Sequence, residues 1–325
     1  MSDRWTDAIS ARAIHANKKA LFTPGPASLC AQNLELLGPA FGRGDQDYDA
    51  LESRVLSLLK DISGHQNIAR MQGSATLALE VVVNNFIFGK VLLISSGYYS
   101  SRLSEMLGSM KDITLVNVVD FDVADQHIGA YDWIVACYVE TSVATKLSAT
   151  RLKGIADKCG AKLFLDATAS IGLEEHHHLA DVIAYSSCKG LCGLTGASFV
   201  AFNDGPVIEP KSFYLSLNTH LEKRVTGPYH VIQSLALNLE KYDAIKFSVT
   251  ENKQKFMRDF GVRSPYPPER QPLLCTYVPE TLSATGDAVL YQPRLAISGS
   301  IICHLGEAHL GYDSRGDLVD KLECL

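Results

Sequence analysis

The chain has 325 residues, 46 % of them hydrophobic and 20 % charged, with a formal charge of -6. Such a composition belongs to a globular protein able to build one large core and a smaller one beside it. The acidic balance, with no basic cluster interleaved with aromatics, argues against nucleic acid or an anionic membrane as partner.

Residues 1–20 hold no continuous apolar core of the signal-peptide kind and read as an N-terminal extension. No apolar run reaches the length that spans a bilayer. Eight cysteines are scattered without a CxxC pair, so the chain reads as cytoplasmic, with reduced thiols.

From about residue 49 to 205, helical patterns alternate with short apolar runs. "DALESRVLSLLKDIS" and "SATLALEVVVNNFI" have helical spacing, and "SSRLSEMLGSM" and "ATRLKGIADKCG" read as crossover helices. "KVLLIS", "ITLVNVV", "WIVACYV", "KLFLDAT", "VIAYSS" and "ASFVAF" are rich in β-branched residues and apolar on both faces. Strands of that kind belong in a sheet covered on both sides, so the fold class is α/β. Beyond residue 205 the rhythm changes. "YHVIQSLALNLEKYDAIK" reads as a long helix and "ENKQKFMRDFG" as its continuation or a second one. "RSPYPPERQP" reads as a loop. "LLCTYVP", "RLAISGS" and "IICHLG", with a last helix from Ser314, read as a small α+β domain. The expected division is a large domain over 21–245 and a small one over 246–325.

The common nucleotide cradles, GxGxxG and Walker A, are absent. The triplet His176-His177-His178 reads as an exposed loop rather than a metal site, because adjacent side chains on a strand point to opposite faces. One constellation stands out. Asp166 closes the apolar run "LFLD", and Lys189 follows the next run in "YSSCKGLCG". A lysine there must be paired, reach water or give up its proton, since burying a lone ammonium is costly. Ligands of open α/β sheets bind outside the carboxyl ends of strands, where both residues fall. "QGSAT" places Gly73, Ser74, Ala75 and Thr76 at the start of a helix, where N–H groups can seat a phosphate. "SSGYYSSR" puts two aromatics after a strand, able to stack on a planar ring. Taken together these describe a site for pyridoxal phosphate, although a strand-end Asp alone is an ordinary turn residue and Ser74 alone an ordinary N-cap.

The motifs "TPGPAS", "GRGDQDYDAL", "MQGSATLALE", "SSGYYSSR", "VETS", "LDATAS", "YSSCKGLCG" and "SFYLSLNTHLEK", in this order, resemble the class V aminotransferases among fold-type I pyridoxal-phosphate enzymes. Within these the chain is most similar to 2-aminoethylphosphonate and serine–pyruvate or alanine–glyoxylate transaminases. The resemblance implies a mostly parallel seven-stranded sheet between helices and a small C-terminal α+β domain. It implies Lys189 as the Schiff-base lysine and proton carrier, Asp166 at the pyridinium nitrogen, and Tyr99 stacked on the ring. Ser74, Ala75, Thr76 and Ser187 would hold the phosphate, and Thr141 with Ser142 would lie by the ring hydroxyl. It further implies a homodimer with active sites at the interface, acting on an amine or amino acid and a 2-oxo acid.

The chain departs from that pattern in several places. An arginine that grips the substrate's acidic group is replaced in "CHLG", where His304 stands, leaving Arg294, Arg43 and Arg102 as candidates for the grip. His230 stands in "TGPYHV", where the family has a threonine that reaches the neighbouring subunit's phosphate, and Cys188 and Cys192 occupy commonly polar positions. The expected reaction is amino transfer. The alternatives are a pyridoxal-phosphate lyase on the same scaffold and a non-catalytic relative.

Overall fold

The computed structural model describes residues 20–27, 37, 41–42, 44–223, 225–261, 264–305 and 319–325. A short strand β1 (Leu21–Phe22) precedes helix α1 (Gln46–Ser63). That helix starts where Asp45 accepts hydrogen bonds from the N–H groups of Asp47 and Tyr48, and stops at Gly64 in the left-handed region. There follow β2 (Asn67–Gln72), α2 (Ala75–Asn85), β3 (Gly89–Ser95), α3 (Tyr98–Gly108), β4 (Ile113–Asp120) and β5 (Trp133–Cys137). A two-strand turn, β6 (Val139–Glu140) and β7 (Thr145–Lys146), leads to α4 (Ala149–Cys159), β8 (Lys162–Asp166), β9 (Val182–Ser186) and β10 (Ala197–Phe202).

Seven of these strands form one sheet in the order β2-β10-β9-β8-β5-β3-β4. Only β10 runs antiparallel to its neighbours; the other contacts are parallel. The six apolar runs expected as strands are all present. Their apolar character on both faces has a direct cause. Alternate residues of each strand enter opposite layers, so Leu92, Ile94, Ile134, Leu163 and Leu165 pack with α1 and α4. Val91, Leu93, Val135 and Phe164 pack with α2 and α3 on the other side. Strand β4 lies at the edge and leaves Leu115 and Val118 half exposed. Strand β2 carries no such apolar signal, because Arg70 sits at its centre, neutralised by Glu52 at 2.6 Å.

Beyond the sheet come α5 (Leu217–Glu222), α6 (Tyr229–Glu240) and α7 (Tyr242–Asp259). The expected long helix is thus two, broken at Lys241, which has left α-helical dihedrals. The C-terminal unit pairs β11 (Cys275–Val278) with β14 (Ser300–Cys303), and β12 (Leu282–Ala284) with β15 (Leu322–Cys324). Its β13 (Val289–Leu290) pairs in parallel with β1, so the beginning of the described chain is stitched to this unit. "RLAISGS" is a strand only in its last residue, Ser300; the expected helix from Ser314 falls mostly outside the described residues. Among the described residues no helix is long and apolar enough to cross a membrane.

Two close approaches fix the Lys189 loop. From β1 the chain passes over it, with the Ala27 N–H donating to the Cys188 carbonyl at 2.8 Å and Gly25 against the Lys189 side chain. On the other side Gly190 presses on the 171–173 turn, where an added Cβ would stand 2.1 Å from the Ile171 carbonyl oxygen. That contact is with backbone and cannot yield cheaply. Gly190→Ala is therefore expected to destabilise the protein by about 1–3 kcal/mol or more, read as a lower urea midpoint. An unchanged midpoint would disprove the packing of Gly190 on this turn.

Candidate active site

All the chemistry collects at the carboxyl edge of the parallel strands. Asp166 ends β8, 2 % exposed, in register with Cys137 at the end of β5 and Ala184 of β9. The N–H of Thr168 donates to one Asp166 carboxylate oxygen at 2.9 Å, and the Thr168 hydroxyl donates to the same oxygen. The other oxygen makes no hydrogen bond within the described residues. Lys189 follows the end of β9, and its Nζ stands 5.6 Å from the centroid of the Tyr99 ring. Asp166, Thr168, Lys189, Tyr99, Arg102, Thr141, Cys137, Val139 and Ala169 line a single cavity. Among the described residues Lys189 makes no ion pair, and its Nζ lies over the Tyr99 ring face.

Tyr99 is placed by a buried acid. Glu140, 1 % exposed, accepts from the N–H groups of Tyr99 (3.0 Å), Ser100 (3.2 Å) and Ser142 (3.3 Å), and from the Ser142 hydroxyl. This carboxylate caps α3, whose first turn has no acidic residue of its own. Burial pushes the Glu140 carboxyl above the usual carboxylate range, and its hydrogen bonds from Ser142, Ser100 and Tyr99 oppose that shift. Close by, Ser74 sits at the N-cap of α2 with no side-chain cap hydrogen bond. The N–H groups of Ala75 and Thr76 in that first turn remain available, as at any helix N-terminus. Arg102 reaches across from α3 to Thr76 Oγ1 at 3.5 Å, with its guanidinium 5.1 Å from the Tyr99 ring centroid. An uncapped helix start beside an arginine offers N–H donors and positive charge that suit an anion.

No family model matches the chain. Among curated relatives, a 2-aminoethylphosphonate–pyruvate transaminase of Polaromonas sp. is 26 % identical over 261 residues, which is 69 % of this chain and 68 % of that one. The enzyme of the same name from Syntrophobacter fumaroxidans is 25 % identical over 269 residues, 71 % of this chain and 70 % of its own. Among solved structures, a ureidoglycine–glyoxylate aminotransferase from Bacillus subtilis superposes with a TM-score of 0.76 at 15 % identity. The match covers 93 % of this chain and 91 % of that one. An alanine–glyoxylate aminotransferase from Nostoc sp. gives 0.75 at 18 % identity, over 93 % of each chain. This is the fold-type I aminotransferase fold.

Within that aminotransferase fold, several expected residues stand elsewhere. His304 is not brought into the cavity. It is 1 % exposed in the C-terminal unit, with Nε2 2.9 Å from the Thr276 hydroxyl and its ring against Phe256. The reason is the strand period: Cys303 takes the face towards Lys189, and the next residue turns away. Ser187 is fully buried with its hydroxyl donated to the carbonyls of Leu194 and Ala197, so it ties its own loop together. The Ser142 hydroxyl is committed to Glu140 and to the Tyr98 N–H. Arg294 is exposed and lies over Tyr98, 5.6 Å from its ring centroid, and does not line the cavity. His230 is exposed. Arg43 lies outside the described residues. The histidine triplet is not wholly exposed, for His177 is 2 % exposed and bonded to the Ser170 hydroxyl at 2.9 Å. Missed by the sequence reading were Glu140, hidden in "VETS", Thr168, and Tyr291, whose hydroxyl nears Thr141 and Tyr99 from the C-terminal unit.

Burial holds both His177 and His304 down to about 3, from an ordinary value of 6.5. Both are therefore neutral when folded, and unfolding lets them take up protons below pH 6.5. Their contribution to stability is complete above that pH and is lost as pH falls from 6.5 towards 3, by about 1.4 kcal/mol per pH unit for each. Urea midpoints at pH 7 and pH 5 should thus differ less in His304→Gln than in the wild type. Equal differences would place His304 in water.

Proposed function

We propose that the protein is a pyridoxal-phosphate-dependent aminotransferase that moves an amino group between a primary amine or amino acid and a 2-oxo acid. The observation that carries this reading is the convergence on one cavity of Lys189, Asp166, Tyr99 and Thr141, beside the uncapped start of α2. The residues fit the cofactor on their own terms. The Arg102 Nε is buried without a hydrogen-bond partner among the described residues, and Asp166 keeps one carboxylate oxygen open. When bound, pyridoxal phosphate supplies an electron sink that eases removal of a proton from the carbon bearing the amine.

The roles of the chain's own residues follow from chemistry. Lys189 Nζ would hold the cofactor covalently and, once freed by substrate, carry the proton to and from the substrate carbon. Asp166, oriented by Thr168, would hold a proton on the pyridine nitrogen, since a buried carboxylate favours a cation beside it. Ser74, Ala75 and Thr76 would bind the phosphate with hydroxyl and N–H donors, with Arg102 adding charge. Tyr99 would cover the ring face, held there by Glu140.

The likeness to 2-aminoethylphosphonate–pyruvate transaminases makes that phosphonate and pyruvate the first pair to test. Withdrawal of His304 from the site favours a second reading, elimination or bond cleavage on the same scaffold. A homodimer is part of the proposal, supported by Phe213 and Tyr214, which stand exposed beside the phosphate seat where Tyr214 donates to the Gln72 carbonyl. A cytoplasmic location is supported by the seven described cysteines, none of which is joined in a disulfide.

Purified protein mixed with pyridoxal phosphate should show a visible absorption band that borohydride abolishes, and Lys189→Ala should lack it. With 2-aminoethylphosphonate and pyruvate the wild type should form alanine, and the variant should lose at least about 10²-fold in rate. Consumption of the amine with release of a fragment and no alanine would favour the cleavage reading. The absence of any band would refute the cofactor.

A further inference from the structure

Two buried hydroxyls meet at the site from distant parts of the chain, and neither has a hydrogen bond of proper geometry among the described residues. Thr141 follows β6 and is fully buried, and its Oγ1 faces the cavity that holds Lys189 and Asp166. Tyr291 comes from the segment after β13, and its buried OH lies close to Thr141 and Tyr99 without hydrogen-bond geometry to any described residue. Leaving a buried hydroxyl unpaired costs about 1–3 kcal/mol, and folded proteins rarely leave two side by side. A ligand atom received there would pair both.

The surroundings say which kind of atom. The Tyr291 backbone is pinned by its N–H donating to the Phe22 carbonyl at 3.2 Å, so the ring does not swing freely. Its neighbours are apolar: Ile301 and Cys303 of the C-terminal unit share one cluster with Val139 and Ala169 of the cavity wall. Burial pushes the phenol's ionisation upward, so at neutral pH it is a hydrogen-bond donor and not a base. Three residues on, the exposed Arg294 stands over Tyr98, the chain neighbour of the cavity residue Tyr99. The 291–294 segment thus sets a neutral donor inside and a cation outside, along the Tyr98–Tyr99 edge, an arrangement suited to an anion.

We propose that Tyr291 is the substrate-recognition residue of this site, its hydroxyl and that of Thr141 donating to the substrate's acidic group, a carboxylate or a phosphonate, with Arg294 supplying charge at the entrance. The proposal rests on the aminotransferase reading above.

The test is Tyr291→Phe, which removes one oxygen and keeps the ring. Without ligand, its thermal midpoint should equal or exceed that of the wild type, because the lost hydroxyl had no partner; a lower midpoint would assign the hydroxyl a structural role and overturn the proposal. The cofactor band should keep its position and affinity; a shifted band would assign the hydroxyl to the cofactor instead. Spectral titration should show 2-aminoethylphosphonate, pyruvate or both bound about 10- to 100-fold more weakly, and propylamine bound as before. The acid that weakens is the one Tyr291 receives. Equal weakening of propylamine, or no weakening of either acid, would refute the assignment. Propylphosphonate and pyruvate should also raise the thermal midpoint of the wild type, cofactor-free, more than that of Tyr291→Phe. This arm tests Tyr291 even where no cofactor band appears, which separates its failure from failure of the aminotransferase reading.

Discussion

A sheet covered on both faces cannot carry chemistry along its strands, and this constraint arranges everything else. Each side chain between the ends of β3, β5, β8 and β9 enters one of two apolar layers, where an unpaired polar group would be costly. The charged candidate groups of the site stand where the strands stop. Asp166 is the last residue of β8, Glu140 lies three residues beyond β5, and Lys189 three beyond β9. Because the strands between β9 and β4 run parallel, those ends share one edge, and the groups meet there without any being near another in sequence.

At that edge, position is set by backbone contacts and buried hydrogen bonds more than by ion pairs. Gly25 and Gly190 let two turns close on the Lys189 loop from opposite sides, and in both cases the neighbour in contact includes a backbone carbonyl. Glu140 does the corresponding work for Tyr99. One carboxylate gathers the N–H groups at the start of α3 and so fixes the angle at which the ring faces the cavity. The exposed ion pairs of the surface, such as Lys162 with Asp204, have no comparable influence, since water screens them.

The electrostatics of the site follow from which elements supply it. The proposed phosphate seat draws on the helix start at Ser74 and on Arg102. The C-terminal unit turns an apolar wall towards the cavity, with Ile301 and Cys303 on β14, and keeps its histidine, His304, in its own core. Recognition of an acidic group from that side then depends on the short segment from Tyr291 to Arg294, which is stitched to β1 and thereby to the turn that crosses Lys189. Substrate side and lysine loop are consequently linked through one stretch of backbone.

Much of this was legible in the sequence. Apolar runs of six or seven residues announced six strands, and the order Asp166, then Lys189, with small residues at 73–76 before a helix, is what the cofactor proposal started from. Those signals are local, written in periodicity and in neighbours a few residues apart. Strand β2 was not legible, because its polar centre is neutralised by Glu52 from another element, 18 residues away. The break at Lys241 was not legible either, since both flanking helices share one helical pattern. Nor could the sequence say that His304 faces the core, that Ser142 serves Glu140, or that Tyr291 reaches Thr141 across 150 positions. Composition and periodicity determine what a segment becomes and which face it buries. Which distant side chains then share a cavity is decided only when the layers pack, because that depends on where each strand ends against its neighbour.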